Sequence, residues 1–166
     1  TVVKNINLDN TKITEIPSSA FYGAINLKQI RLPSNVTKID TLAFYAAGLI
    51  ELELNEGLIS IGSGALSGLS YLKVLTIPST LSSIQNNAMS PEAFGSTDYL
   101  TSLEKIIIKK DLSIPLSVES ITKSVFYKNG SQIALSTISE AGTYLSYICG
   151  TTDDWNYETI DGKNYI

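Results

Sequence analysis

The chain repeats a short pattern every 22 to 24 residues, and this period restricts the possible folds more than any other feature of the sequence. Each unit opens with two apolar residues separated by one other residue. The first four units begin at Ile6, Ile30, Leu52 and Leu75, at intervals of 24, 22 and 23 residues. One such unit cannot bury its own apolar side chains, so neighbouring units must stack around a continuous core. The repeat therefore predicts a solenoid.

The second unit shows what each repeat builds. Its first residues alternate in polarity, which predicts a strand with Ile30 and Leu32 pointing inward and Gln29 and Arg31 pointing outward. Pro33 ends the strand, because it has no N–H group for a ladder hydrogen bond. Stacking of the units places such strands side by side in the same direction, and we therefore expect a parallel sheet on the concave face.

A small residue and a larger apolar residue follow the strand in each unit, as in Ala43-Phe44. This pair favours a short helical or 3-10 turn on the convex side, with Ser18 and Asp40 as candidate N-cap residues. The second members of these pairs should form one column in the core. The expected column contains Phe21, Phe44, Leu66 and either Met89 or Phe94.

The pattern becomes irregular after the fourth unit. Ile106 follows Leu75 by 31 residues, and the turn-rich stretch 90–101 is the predicted insertion. Residues 112–127 then repeat the spacing of the second unit. We interpret them as a fifth repeat with an irregular strand region.

Charge also changes near residue 110. Residues 1–110 hold nine acidic and nine basic residues, whereas residues 111–166 hold seven acidic and three basic ones, so the net charge of −4 belongs to the second part. We predict a solenoid over 1–110, with an alternative limit at 127. Residues 111–166 are expected to form the irregular last repeat and a β-rich C-terminal cap. Turn signals at Asn129-Gly130 and Asp161-Gly162 predict two hairpins there.

The composition argues against several classes of function. The chain has no histidine and a single cysteine, Cys149, which leaves no His-based catalysis, no His or multi-Cys metal site and no intrachain disulfide. We interpret Cys149 as a buried structural thiol. The acidic balance does not favour nucleic acid, and no apolar run approaches the roughly 20 residues of a membrane helix. We expect no enzyme activity, cofactor, nucleic-acid partner or membrane span.

The segment from Ile30 to Phe44 has the pattern I-x-L-P-x-x-V-x-x-I-x-x-x-A-F, and the other units share parts of it. This pattern resembles the BspA-type leucine-rich repeats of bacterial surface and secreted proteins. The resemblance covers about residues 3–108, with an alternative limit at Tyr127. It departs from the pattern at Asp9, which stands where the second unit has Pro33, and at Leu66 and Met89, which stand at the Phe position. It implies a leucine-rich-repeat solenoid, a secreted or cell-surface location, and adhesion-like binding to a protein or glycan.

The outward strand positions are the first place to expect a ligand, because they line up across the concave face. One column contains Asn5, Gln29, Glu51, Val74 and Lys105, and the next contains Asn7, Arg31, Glu53, Thr76 and Ile107. The candidate ligand-binding residues are Asn7, Gln29, Arg31, Glu51, Glu53, Thr76 and Lys105. Arg31 and Glu53 are expected to lie side by side and to pair. The alternative is a solvated face whose charges neutralise each other.

Trp155 and Tyr157 in the predicted cap are a second candidate contact, because aromatic side chains with a polar edge are favoured at interfaces. The alternative is that Trp155 closes a small core. The acidic residues around this aromatic pair lack the spacing of a calcium-binding loop, so no metal site is predicted.

Two functions of different classes fit these observations. The first is non-catalytic recognition of a protein or glycan through the concave sheet. The second is a structural spacer that displays another domain of a longer surface protein and has no ligand of its own. A glycan-cleaving enzyme is a more distant third, because it needs two carboxylates flanking a cleft. Glu51 and Glu53 instead share one strand and face outward with no evident cleft.

Overall fold

The computed structural model describes residues 2–85, 88–89, 102–109, 111, 126–128, 131–132, 140–146, 158–160 and 163–165. Within these ranges the chain forms strands and turns and no helix. The strands are β1 (Asn5–Asn7), β2 (Glu15–Ile16), β3 (Gln29–Arg31), β4 (Lys38–Ile39), β5 (Glu51–Glu53), β6 (Ser60–Ile61), β7 (Val74–Ile77), β8 (Ser83–Ile84), β9 (Lys105–Ile108), β10 (Phe126–Lys128), β11 (Ser131–Gln132), β12 (Gly142–Ser146), β13 (Glu158–Ile160) and β14 (Lys163–Tyr165).

The first strands of successive repeats form the predicted parallel face. In β1 and β3, Asn5 lies opposite Gln29. Glu51 of β5 lies opposite Val74 of β7, and Val74 lies opposite Lys105 of β9. Within each of these two groups the register is therefore the one that the sequence predicts. The two groups are separate sheets, because no ladder joins β3 to β5 in the described part of the chain.

Another parallel sheet, called the second sheet below, lies along a different side of the solenoid from the concave face. Its strand order is β2-β4-β6-β8. Its inward residues are isoleucines that lie opposite one another: Ile16, Ile39, Ile61 and Ile84. Unlike the first face, this sheet is continuous across the second and third repeats.

The convex side differs from the prediction. It holds stacked turns in place of helical turns, because residues such as Ser19, Leu42 and Ala46 adopt left-handed backbone angles, with φ of 54° to 58°. A left-handed residue interrupts an α-helix. The turns instead bond to the next repeat, and the Phe44 N–H donates to the Ala65 carbonyl at 2.9 Å.

The two predicted N-caps are also wrong. The Ser18 hydroxyl donates to the Thr41 carbonyl of the next repeat at 2.9 Å. The Asp40 carboxylate accepts from the adjacent Thr41 N–H at 2.7 Å. In both cases the side chain bonds across or within a turn, because no helix begins there.

The core is one continuous cluster that runs from Ile16 to Tyr144. The predicted column through it is confirmed: the Phe21 and Phe44 rings stack with centroids 5.2 Å apart, and Leu66 and Met89 occupy the equivalent positions in the next repeats. Phe94, the other candidate for that last position, lies outside the described residues.

In the segment that leads from the second sheet to the next concave strand, the second repeat has one residue fewer than its neighbours, and the Lys28 side chain bonds to the backbone at this point. Leu49 follows Ile39 by ten positions, whereas the corresponding leucines of the first and third repeats follow their isoleucines by eleven. Gly48 lies so close to the first repeat that a Cβ there would meet the Ile25 carbonyl. The Lys28 ammonium donates to the Ile25 and Gly48 carbonyls at 3.0 and 3.3 Å, and it lies 4.8 Å from the centre of the Tyr71 ring.

The parallel sheet ends at β9, because β12 pairs with it in the opposite direction. Both predicted hairpins are confirmed as antiparallel pairs, β10 with β11 and β13 with β14. The predicted insertion at 90–101 and most of the predicted fifth repeat lie outside the described residues, as does Cys149. In the described part of the chain, no helix is long and apolar enough to cross a membrane.

Candidate functional site

The concave face carries an exposed polar surface on its first three strands. On β3 and β5 the central Ile30 and Leu52 are buried, while the residues on either side of them point outward and are exposed. The exposed outward residues of these strands are Asn5, Asn7, Gln29, Arg31, Glu51 and Glu53.

The later strands offer less of the predicted surface. Thr76 is only 7% exposed, and Lys105 is half-buried. The accessible part of the predicted site therefore lies on β1, β3 and β5. Trp155 and Tyr157, the predicted contacts in the cap, lie outside the described residues.

The charged residues of this face do not pair as the sequence predicts. Arg31 pairs with Asp9 at 3.5 Å, and Glu53 pairs with Lys109 at 2.8 Å. Arg31 and Glu53 belong to the two strands that no ladder connects, so their equivalent positions do not bring them into a pair. Sequence reasoning missed Asp9 and Lys109, because both lie just beyond the strands; the replacement of proline by Asp9 was the available signal.

The separation of β3 from β5 is visible in one missing hydrogen bond. The Leu8 N–H donates to the Arg31 carbonyl at 3.0 Å, and the Leu54 N–H donates to the Thr76 carbonyl at 3.1 Å. The equivalent bond from the Leu32 N–H to the Glu53 carbonyl is absent among the described residues. The two strands therefore part at their carboxyl ends.

A pocket of about 470 Å³ lies at this point. It is lined by Asp9 from the first repeat, by residues 30–34 from the second, and by Glu53, Asn55 and Glu56 from the third. The lining combines carboxylates, a guanidinium group and apolar side chains. Ligand pockets are commonly of this size.

Two side chains in the lining are held in place by neighbouring repeats. Asn55 donates from its Nδ2 to the Val36 carbonyl at 2.8 Å, and its Oδ1 is buried with no hydrogen-bond partner. The Glu56 carboxylate accepts from the hydroxyl and the N–H of Ser79, at 2.9 and 3.2 Å. These bonds fix the orientation of both side chains before any ligand binds.

The shifted pKa values in the described part lie on another face. On the second sheet, the Lys38 ammonium donates to the Asp40 carboxylate at 2.9 Å. This hydrogen bond raises the pKa of Lys38 and lowers the pKa of Asp40. Both side chains are partly exposed, so solvent screens the pair and it adds little to stability. The described residues contain no cluster of three or more His, Cys, Asp or Glu side chains that could hold a metal ion.

Comparison with protein families gives a match over most of the chain. The model of the BspA type leucine rich repeat region matches residues 1–131, in 6 copies. Comparisons with curated proteins and with solved structures found no match.

Proposed function

We propose a recognition function from one premise: the chain belongs to the BspA-type leucine-rich-repeat family. This family is associated with bacterial surface proteins and is typically a non-enzymatic binding or structural module. The proposed function is non-catalytic binding of a protein or glycan partner at the bacterial surface or outside the cell. The concave face of the solenoid is the proposed binding surface.

The observation that carries this proposal is the exposed polar surface on β1, β3 and β5. Six outward side chains lie there on a rigid backbone, and the inward residues of β3 and β5 are buried in the core. The stacked strands fix the backbone positions from which these side chains project, so binding orders the side chains alone and does not have to order a loop as well. Such a surface is suited to recognition by many weak polar contacts.

The ion pairs favour the second candidate, a structural spacer. Asp9 and Lys109 partly neutralise the charges of Arg31 and Glu53, so this face has a weak electrostatic field for attracting a partner. A spacer also needs the rigidity that the continuous second sheet provides. The two candidates differ in one property, because only a recognition module has a binding signal to lose.

The test is a binding screen of the purified chain against extracellular-matrix proteins and a glycan array. The key variant is Arg31→Glu with Glu53→Lys, which reverses both charges and leaves the net charge unchanged. A matched control, Lys12→Glu with Glu15→Lys, makes the same exchange at exposed positions near the second sheet. Thermal unfolding of all three proteins shows whether stability is preserved.

We expect a binding signal that the control keeps and the key variant loses, with only a small fall in the thermal midpoint of the key variant, because its substitutions break two exposed ion pairs. A signal that survives in the key variant would assign binding to another surface. The absence of any signal at high micromolar protein would contradict recognition and favour the spacer.

A further inference from the structure

We propose that the pocket between β3 and β5 binds a short neutral glycan. This inference rests on the recognition function proposed above and specifies its ligand class and its location. It concerns the point where the concave sheet divides, and it depends on the backbone, the lining side chains and the size of the pocket.

The division of the sheet makes peptide groups available at the pocket. In the repeats on either side, the corresponding leucine N–H donates to the next strand, as Leu8 and Leu54 do. Leu32 lines the pocket and makes no such bond to Glu53, which lines it as well. A peptide N–H and a carbonyl that do not bond each other can bond a ligand, and a hydroxyl group can serve either of them.

The side chains place further donors and acceptors around the same space. Arg31 has five N–H donors, and its contact with Asp9 is a single long one of 3.5 Å. Glu53 and Glu56 provide carboxylate acceptors, and Ser79 holds Glu56 in a fixed orientation. A sugar carries several hydroxyl groups that both donate and accept, so it can satisfy such a mixed set of groups.

The charges of the lining argue against an ionic ligand. An anion would meet the three carboxylates of Asp9, Glu53 and Glu56, which outnumber the single guanidinium of Arg31. Three of these four charges are already compensated within the protein, by the Arg31–Asp9 and Glu53–Lys109 pairs, so Glu56 is the one carboxylate of the lining left to attract a cation. A neutral polyhydroxyl ligand gains charge-assisted hydrogen bonds here without opposing a full charge.

The size of the pocket also suits a short glycan. Its volume of about 470 Å³ exceeds the space that one inserted side chain fills and is within the common range of ligand pockets, about 300–1,000 Å³. Ile30, Leu32 and Pro33 supply the apolar atoms of its lining, which can contact the C–H groups of a sugar ring.

The experiment is titration calorimetry of the full chain with four neutral probes: cellotetraose, maltotetraose, chitotetraose and lacto-N-tetraose. Oligolysine and a heparin tetrasaccharide are the cationic and anionic comparisons. Three variants alter the pocket. Arg31→Gln and Glu53→Gln remove a charged donor and a charged acceptor, and Ser34→Tyr fills the pocket from an exposed position in its lining.

Glu15→Gln and Ser83→Tyr are the matched controls, because both residues are exposed on the second sheet. We expect at least one neutral probe to bind, with affinity about tenfold weaker in Arg31→Gln and Glu53→Gln and lost in Ser34→Tyr. The controls should bind as the unmodified chain does.

Several outcomes would overturn the inference: no neutral probe binding at millimolar concentration, equal binding by Ser34→Tyr, or pocket-dependent binding of oligolysine or heparin instead. Failure of this inference can be told apart from failure of the proposed function. The distinguishing result is a matrix protein whose binding is lost in the Arg31→Glu, Glu53→Lys variant and kept in Ser34→Tyr. It would support recognition by the concave face and exclude this pocket as the binding site.

Discussion

Ala46 occupies a backbone position that suits glycine. Its φ is 54°, and the equivalent residues of the neighbouring repeats are Gly23 and Gly68, with φ of 65° and 70°. The left-handed conformation costs a residue with a Cβ roughly 1–2 kcal/mol. The structure needs this conformation, because it directs the Ala46 N–H to the Ser67 carbonyl of the next repeat, at 3.0 Å.

The substitution Ala46→Gly is expected to stabilise the chain. Removing the Cβ relieves the left-handed strain, while the added freedom of the unfolded chain offsets part of the gain, so we expect a net increase of about 0.5–1 kcal/mol in the free energy of unfolding. The measurement is urea denaturation. Ala47→Gly is the control, because Ala47 is 1% exposed and has no positive φ. Ala47→Gly should lower the free energy of unfolding, in contrast to the increase expected for Ala46→Gly. Equal losses in the two variants would show that the left-handed strain at Ala46 is absent.

Single residues show which part of the site the sequence could predict. Alternation along a strand correctly placed Arg31 and Glu53 on the exposed face. The alternation could not predict their ion-pair partners, because these depend on the distance between neighbouring strands and on residues just outside the strands. Asp9 and Lys109 therefore emerged only from the structure.

The strands β3 and β5 are not joined by ladder hydrogen bonds, and this boundary between two sheets exists on one side of the solenoid only. The second sheet continues past this boundary through β4 and β6, and the stacked turns also bond across it. The concave side alone is divided. The division leaves the Leu32 N–H without the ladder partner that Leu54 has, although both leucines are buried.

Amide hydrogen exchange tests this boundary at two equivalent positions. Leu32 should exchange at least about tenfold faster than Leu54, because a bonded ladder amide exchanges only when the structure opens locally. Burial does not explain such a difference, since the two residues are 6% and 0% exposed. NMR-detected exchange in D₂O measures both rates in one sample. Equal protection would mean that the concave sheet is closed between β3 and β5.

The elements differ in how well the sequence predicts them. Strands and hairpins follow from alternating polarity and from Asn-Gly and Asp-Gly signals, and the structure contains them. The convex turns do not follow from the sequence, because Ser19, Leu42 and Ala46 give no local sign of a left-handed backbone. Their conformation is imposed by hydrogen bonds to neighbouring repeats. The two-residue strands of the second sheet are likewise too short for an alternating pattern to identify.

On the scale of the whole molecule, each repeat is stabilised by the repeats beside it. The inward strand residues form one column, from Ile6 through Ile30, Leu52 and Leu75 to Ile106. Ile106 is 0% exposed and lies between β7 and β12, whereas Ile6 is half-buried and pairs with β3 alone. In a solenoid, stability is approximately a sum of terms within repeats and between nearest neighbours.

The same substitution should therefore cost different amounts along this column. Ile106→Ala removes a side chain that is packed on both sides, and we expect a loss of about 2–5 kcal/mol in the free energy of unfolding. Ile6→Ala removes one that is packed on a single side, and about 1 kcal/mol should be lost in this 166-residue chain. Urea denaturation followed by circular dichroism measures both values, and an unchanged slope with denaturant would confirm that each variant unfolds in the same way as the unmodified chain. Equal losses at the two positions would mean that Ile6 is as well covered as Ile106, which contradicts its packing on a single side.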